Sequence, residues 1–283
     1  MFKVHTLKRL PIALVLIAVM LVTAACGGNN TKTQEQTTWD KIKDKGELTV
    51  ATSGTLYPAS YHDSKSDQLT GYDVEVVREV AKRLGLKVKF VEMAFDGMLT
   101  SVNSGKVDLA ANDIAITKDR EKKFNFSAPY KYSFGSAIVR KSDSSGIHSL
   151  DDLKGKKAAG EATTTYMKVA REHGAKEVIY DNATNDQYLR DVSNGRTDVI
   201  LNDYYLQKLA IAAYSKLNIM IEPHIRFSPS SAGMIMKKDN QELKDKIDST
   251  LKKMKEDGTI TKLSKQFFGG DDVSKKPNIK FSK

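Results

Sequence analysis

The residues that could do chemistry come in two matching sets. Val102-Asn103-Ser104-Gly105-Lys106-Val107-Asp108-Leu109-Ala110-Ala111-Asn112-Asp113 and Val192-Ser193-Asn194-Gly195-Arg196-Thr197-Asp198-Val199-Ile200-Leu201-Asn202-Asp203 both read V-x-x-G-(K/R)-x-D-apolar-x-x-N-D. Each reads as a helix end, a glycine C-cap, a short buried strand and a polar pair where the strand stops. In open α/β sheets ligands bind beyond the carboxyl ends of strands. Two similar α/β lobes, each presenting Asn-Asp, would therefore meet a ligand held between them. The plainer alternative is two unrelated helix-strand junctions with polar loop starts. Between the sets, Thr117 reads as an N-cap and Arg120 lies in the short helix it opens. Free backbone N–H groups beside a guanidinium suit a carboxylate. Read from spacing alone, Arg120 is more simply one more surface arginine on a charged helix. Gly160-Glu161-Ala162-Thr163-Thr164-Thr165 is a second strand-to-helix turn of small and hydroxyl residues that would favour an anion. Asp203 has a structural reading too, as the N-cap of the helix that follows it.

Elements of both kinds are needed to position these groups. Glu47 to Ala51 and Leu86 to Val91 read as strands. Val74, Val77, Val80, Ala81 and Leu84 share one helical face, and Met98, Leu99 and Val102 another. Tyr132 to Val139 is an extended run that crosses into the second lobe, where helices over Tyr166 to His173 and Asn185 to Asn194 alternate with short strands. Phe227 to Ala232 is the second crossing. Gln241 to Glu256 and Thr259 to Phe268 are amphipathic helices that close lobe one. Lobe one is thus discontinuous, residues 39–130 and 231–270, with lobe two over 131–230 and a polar tail over 271–283. Two crossings suit hinge closure.

The first 25 residues read as a secretory signal: Lys3, Lys8 and Arg9 precede an uncharged run from Pro11 to Ala25, too short for a comfortable membrane span. Cys26, the only cysteine, follows Ala24-Ala25 as in a bacterial lipoprotein cleavage box, although Thr23 stands where leucine is common. Its thiol would carry diacylglycerol and tether the protein to the membrane through a flexible polar stretch ending at Thr38. A disulfide framework is excluded. The 283 residues carry 45 Lys and Arg against 35 Asp and Glu, but the two signs are interleaved without an aromatic-basic patch. That pattern describes a solvated surface near an anionic envelope and gives no support for a nucleic-acid partner.

Catalytic signatures are missing from the sequence. There is no G-x-G-x-x-G, P-loop, G-x-S-x-G or H-E-x-x-H, and His5, His62, His148, His173 and His224 are scattered, without metal-ligand spacing. The reading favours recognition over catalysis, with no cofactor and no metal.

Several spaced motifs then point to a known group. Gly71-Tyr72-Asp73-Val74-Glu75-Val76, Phe95-Asp96-Gly97-Met98, Val107-Asp108-Leu109, Ile116-Thr117-Lys118-Asp119-Arg120-Glu121-Lys122, Phe126-Ser127-Ala128-Pro129-Tyr130 and Glu256-Asp257-Gly258-Thr259 together resemble the polar amino-acid-binding proteins of ABC importers (family 3 type) over Trp39 to Gly270. Within that family the chain is most similar to the cystine-binding lipoproteins of Gram-positive bacteria. The resemblance implies a periplasmic-binding-protein fold of type II, two α/β lobes joined by two hinge strands. It implies that Arg120 grips the ligand's α-carboxylate, that the backbone N–H at Thr164, with Thr163 beside it, meets the same carboxylate, and that Asp203 takes the α-ammonium. Phe95 matches the apolar wall over the ligand side chain, and Asp113 and Ala115 fall where the family contacts the ammonium. The chain departs from the pattern at Ala115, which lacks the usual hydroxyl, and at Asp113, where Gly, Ser or Gln is common. Ser53 replaces an acid, Leu56 an aromatic and Ala59 a Phe. Asp113 would then offset the acid lost at Ser53 and favour a cationic ligand or one with two ammonium groups, such as cystine.

The expected protein is a monomeric extracytoplasmic solute-binding lipoprotein. It would be anchored through Cys26 to the outer face of the membrane and hand its amino acid to an ABC permease and its ATPase. The alternative is an exported enzyme on the same fold, dehydratase-like or wall-cleaving, with Glu161 or Asp113 as general acid.

Overall fold

The structure is a computed structural model that describes residues 36–180 and 183–281. The expected signal, Cys26 and most of the tether lie outside the described residues.

The first described element is helix α1 (Thr38–Lys45), set by a reciprocal capping box between Thr37 and Asp40 and stopped by left-handed Gly46. Its buried face is Trp39 and Ile42, so the tether ends slightly earlier than Thr38. Strand β1 (Glu47–Thr52) follows, then three short strands β2 (Thr55–Leu56), β3 (Ser60–His62) and β4 (Leu69–Thr70) that form a small antiparallel sheet. Strands this short show no alternation, which hides them from sequence reading. Helix α2 (Tyr72–Arg83), β5 (Lys87–Glu92), α3 (Phe95–Ser104), β6 (Leu109–Ala110), the single-turn α4 (Lys118–Glu121) and β7 (Phe124–Phe126) complete the first run through sheet one.

The chain then enters β8 (Lys131–Arg140), β9 (Lys157–Gly160), α5 (Thr165–Glu172), β10 (Lys176–Ile179), α6 (Asn185–Ser193), β11 (Val199–Asp203), α7 (Tyr204–Ala213) and the 14-residue β12 (Ile219–Ala232). It returns through β13 (Ile235–Lys237) to α8 (Gln241–Glu256) and α9 (Thr259–Phe267). Sheet one has the order β5-β1-β6-β13-β7 and sheet two β10-β9-β11-β8-β12. Strands β1, β5 and β6 are parallel, as are β9, β10 and β11, and each sheet is extended by antiparallel strands.

The repeat has one geometry in both sheets. Gly105 and Gly195 end their helices at φ +74° and +75°, the left-handed region glycine enters without cost. Three residues later Asp108 and Asp198 do the same job. The Asp108 carboxylate accepts the Thr49 N–H at 2.7 Å while its own N–H donates to Thr49 O. The Asp198 carboxylate accepts the Lys157 N–H at 2.8 Å while its N–H donates to Lys157 O. Each aspartate fastens the beginning of the central parallel strand, which sets where that strand's far end arrives.

The two passages between sheets lie side by side. Lys131 is in register with Ala232, and the Tyr130 N–H donates to Ala232 O. The second passage is the end of β12 and not a loop, because Ser230, Ser231 and Ala232 pair with Ser133, Tyr132 and Lys131. Gly135 faces Phe227 in this ribbon, and a Cβ there would come within 2.5 Å of the ring. One core, with Leu48, Val50, Tyr72, Tyr130, Met234 and Leu251, lies under sheet one. Others under sheet two hold Val139, Ile147, Val199 and Phe227, and Ile138, Leu189 and Ile200. The expected polar tail differs in one respect: Val273 is fully buried in the first core, and its carbonyl accepts the Tyr132 N–H at 2.7 Å. A single apolar residue among polar ones gave no periodic signal.

Candidate ligand-binding site

The strand ends that carry Asn112-Asp113 and Asn202-Asp203 open onto one cleft. Its first half has about 450 Å³ of space open to solvent and is bordered by Phe95, Asp113, Ala115, Arg120, Thr164 and Leu56. Six of the nine residues predicted to bind are thus together. Ser53 stands in an adjoining half of about 740 Å³. There Ser53 is buried, and its N–H and hydroxyl both donate to the Asn112 side chain, at 3.0 and 2.9 Å.

Arg120 is placed by the cap of its own helical turn: Thr117 Oγ1 accepts the Arg120 N–H at 3.2 Å. The guanidinium donates to Ala115 O at 3.0 Å and, across the cleft, to Thr163 O at 3.1 Å, and lies 5.4 Å from the Phe95 ring centre. These two bonds use two of its five N–H donors. Burial pulls its pKa below the ordinary value, and an arginine so held remains charged. Ala115 serves through its carbonyl, which needs no hydroxyl. Thr163 also donates its N–H (3.2 Å) and hydroxyl to Asp96 at the start of α3. The lips of the cleft are therefore bonded to each other.

Thr164, which borders the cleft, is held by its own turn. Its N–H donates to Glu161 O at 3.2 Å and its hydroxyl oxygen caps α5 by accepting the Met167 N–H at 3.1 Å. The groups left facing the cleft belong to the first turn of α5, at Thr165 and Tyr166.

The acid pair is occupied from within. Lys131 Nζ donates to both oxygens of Asp113, at 2.9 and 3.1 Å, and to Asp203 Oδ2 at 2.5 Å. All three ammonium donors are committed, and Lys131 is 1% exposed. Asp203 also caps α7, accepting the Leu206 N–H at 3.1 Å. It borders a smaller space of about 180 Å³ with Asp113, Ala115, Lys131, Ser133, Tyr166 and Ser230, of which Asp113, Ala115 and Tyr166 also border the Arg120 half. Asp113 sits at φ +52°, and its N–H donates to the fully buried Asp73. Burial pushes Asp113 up to about 7, against the pull of Lys131. Desolvation works against the Lys131 charge, but the Asp113 and Asp203 carboxylates outweigh it and hold its pKa above the ordinary lysine value. The charge expected of Asp113 toward a ligand is thus already shared with a lysine.

Sequence reading missed three contributors. Lys131 falls between Pro129-Tyr130 and the extended run that begins at Tyr132, where no motif or spacing assigns it a role. Asp73 read as a helix-opening residue, and only its 0% exposure marks it as part of the charge cluster. The apolar half of the cleft, walled by Ile138, Ala159, Tyr188, Leu189, Ile200 and Ala210 from lobe two, read as ordinary core.

Two sheets, a double passage between them and an arginine in the intervening cleft define a two-lobed binding protein of type II, and the comparisons agree. The chain belongs to the bacterial extracellular solute-binding proteins, family 3, whose pattern it matches over residues 48–270. It is 67% identical over 262 residues to the probable ABC transporter extracellular-binding protein YckB of Bacillus subtilis (strain 168), covering 92% of this chain and 91% of that one. It is 41% identical to the L-cystine-binding protein TcyA of the same organism, over 95% and 100% of the two chains. The crystal structure of the substrate-binding protein AbpA from Streptococcus pneumoniae, bound to L-arginine, superposes with a TM-score of 0.75 at 30% identity, over 81% of this chain and 98% of that one. The chain is therefore of the ABC amino-acid solute-binding kind, and its family places the cleft outside the cytoplasm.

Proposed function

We propose that this protein captures an L-amino acid between its lobes and delivers it to an ABC permease and its ATPase. The observation that carries this reading is Arg120. It is a half-buried guanidinium in the cleft, stacked on Phe95, bonded to both lips, with donors to spare for a carboxylate. A carboxylate bound there would add to the bonds that join the lips, so the ligand would favour the closed form over the open one. The start of α5 adds a favourable dipole.

The side chain would extend toward Leu56 and the apolar wall of lobe two. Cystine, the ligand in the name of the relative TcyA, would lay its polarisable disulfide along that wall, with its distal ammonium and carboxylate, net neutral, beyond it. A lipid anchor at Cys26 would hold the protein beside its permease, with one protein molecule carrying one ligand.

The test is calorimetry on the purified chain, stripped of ligand by unfolding and refolding, against the twenty amino acids, cystine, citrulline and ornithine. Binding at roughly micromolar Kd or tighter that disappears in Arg120→Ala is the expected result. No binding to any amino acid would overturn the reading.

A further inference from the structure

The reading above leaves one buried cation unexplained. Lys131 begins the strand that leads from one lobe to the other, and its ammonium lies between an acid of lobe one, Asp113, and an acid of lobe two, Asp203. The side chains of all three are nearly inaccessible, at 1%, 8% and 2%. A lysine chain buried this deeply needs its charge matched, and here two carboxylates match it. From the ligand's side the same contact means that the two acids able to attract a second ammonium are already bonded to one.

The charges around the cleft can be followed one by one. Arg120 and Lys131 are the cations, and Asp113 and Asp203 the acids that face them. Asp73 lies behind Asp113 and takes its N–H. Glu161 is a further acid, bordering both halves of the cleft. The wall toward which a side chain would extend joins Ile138, Ala159, Leu189, Ile200 and Ala210 to neutral polar groups of Ser53, Asn112, Asn202 and Gln207, none of which offers a cation a matching charge. With Lys131 in place the Asp113–Asp203 pair is matched and Glu161 is left bordering the cleft, a balance that gives a cationic side chain little to gain beside an uncharged one. Without Lys131 the pair would add unmatched negative charge and a cationic side chain would be more welcome.

We infer that Lys131 is a specificity-determining residue, its ammonium occupying the Asp113–Asp203 pair so that the cleft rejects amino acids with cationic side chains in favour of uncharged ones. The inference rests on the proposed amino-acid binding and goes further, since it names the class of side chain and the residue that selects it. It also reverses the ligand preference expected from Asp113 alone. An ammonium supplied by the protein is positioned by folding and loses nothing further on binding, so an incoming cation must compete with a partner already in place.

The test compares arginine with citrulline, which has nearly the same shape and no side-chain charge, by calorimetry at about pH 8, where Asp113 is ionised. The wild type should bind citrulline at least as tightly as arginine. Lys131→Met should raise the arginine-over-citrulline preference by about tenfold or more, since a cation within a few ångströms of a second charge alters binding at least that much. Asp113→Asn, which leaves Lys131 with one acid, should move the preference the other way. Circular dichroism checks that each variant folds, and if Lys131→Met does not, Asp113→Asn decides alone.

A wild type that prefers arginine overturns the inference, as does a preference within about twofold of wild type in a folded variant. If the wild type binds neither compound but does bind other amino acids, new arginine binding in Lys131→Met supports the inference and its absence overturns it. A wild type that binds no amino acid at all overturns the binding function itself.

Discussion

Arg120 and Asp113 carry opposite lessons at the scale of single residues. Arg120 is fixed by three contacts and borders the cleft with donors beyond those already bonded. Arg120→Ala should lower ligand affinity by at least about a hundredfold in calorimetry, because a desolvated charge pair would lose its partner. Arg120→Lys should still lose about tenfold, because an ammonium cannot reproduce the planar fork. Asp113 predicts a pH effect. Its folded pKa is raised from 3.8 to about 7, so the folded chain holds this proton more tightly than the unfolded one. The stabilisation is full below about pH 4 and is lost as the pH rises through about 7. Urea midpoints should therefore fall over that interval from this group, and Asp113→Asn should flatten the fall. An unchanged slope in the variant would show that Asp113 does not titrate there.

At the scale of elements, the repeated G-(K/R)-x-D segments are joints. Asp108 and Asp198 each bond the beginning of the neighbouring parallel strand. Those strands, β1 and β9, end just before Ser53 and Glu161 on the cleft. Asp108→Ala or Asp198→Ala should each cost about 1–2 kcal/mol in urea unfolding, the range for a charge-assisted hydrogen bond on a partly exposed carboxylate. Asparagine, which keeps an acceptor oxygen, should cost less at both positions. Equal losses for alanine and asparagine would argue that charge, and not the bond to the strand, is what matters. The repeat was legible as a pattern because its glycine and aspartate face invariant backbone demands. The three-stranded sheet at Thr55–Thr70 was not, since two- and three-residue strands leave no periodicity to read.

For the whole molecule, function depends on the two lips meeting. Thr163 is the hub, donating to Asp96 and accepting from Arg120. Asp96→Ala should speed ligand release by about three- to tenfold, measured by stopped flow, because the closed form loses its bonds to Thr163. Its effect on unfolding should stay within about 0.5 kcal/mol, as for exposed substitutions generally. Ligand at a hundred times its Kd should raise the unfolding free energy by about 2.7 kcal/mol, and Arg120→Ala should cut that gain to about 0.4 kcal/mol or less at the same ligand concentration.

The sequence alone determined the layered α/β plan, the two lobes, the two passages and six neighbours of the cleft. Each of these follows from local rules: periodicity, caps, glycine at left-handed turns, and motifs with fixed spacing. Tertiary structure decided which charges meet. Lys131, Asp113 and Asp203 are far apart in the chain, and no local pattern records that one ammonium bridges the other two. Whether Asp203 faces a ligand or a lysine depends on distances of about 3 Å between elements of different lobes. A Coulomb interaction acts through space and not along the backbone, so it becomes visible only once the chain has folded.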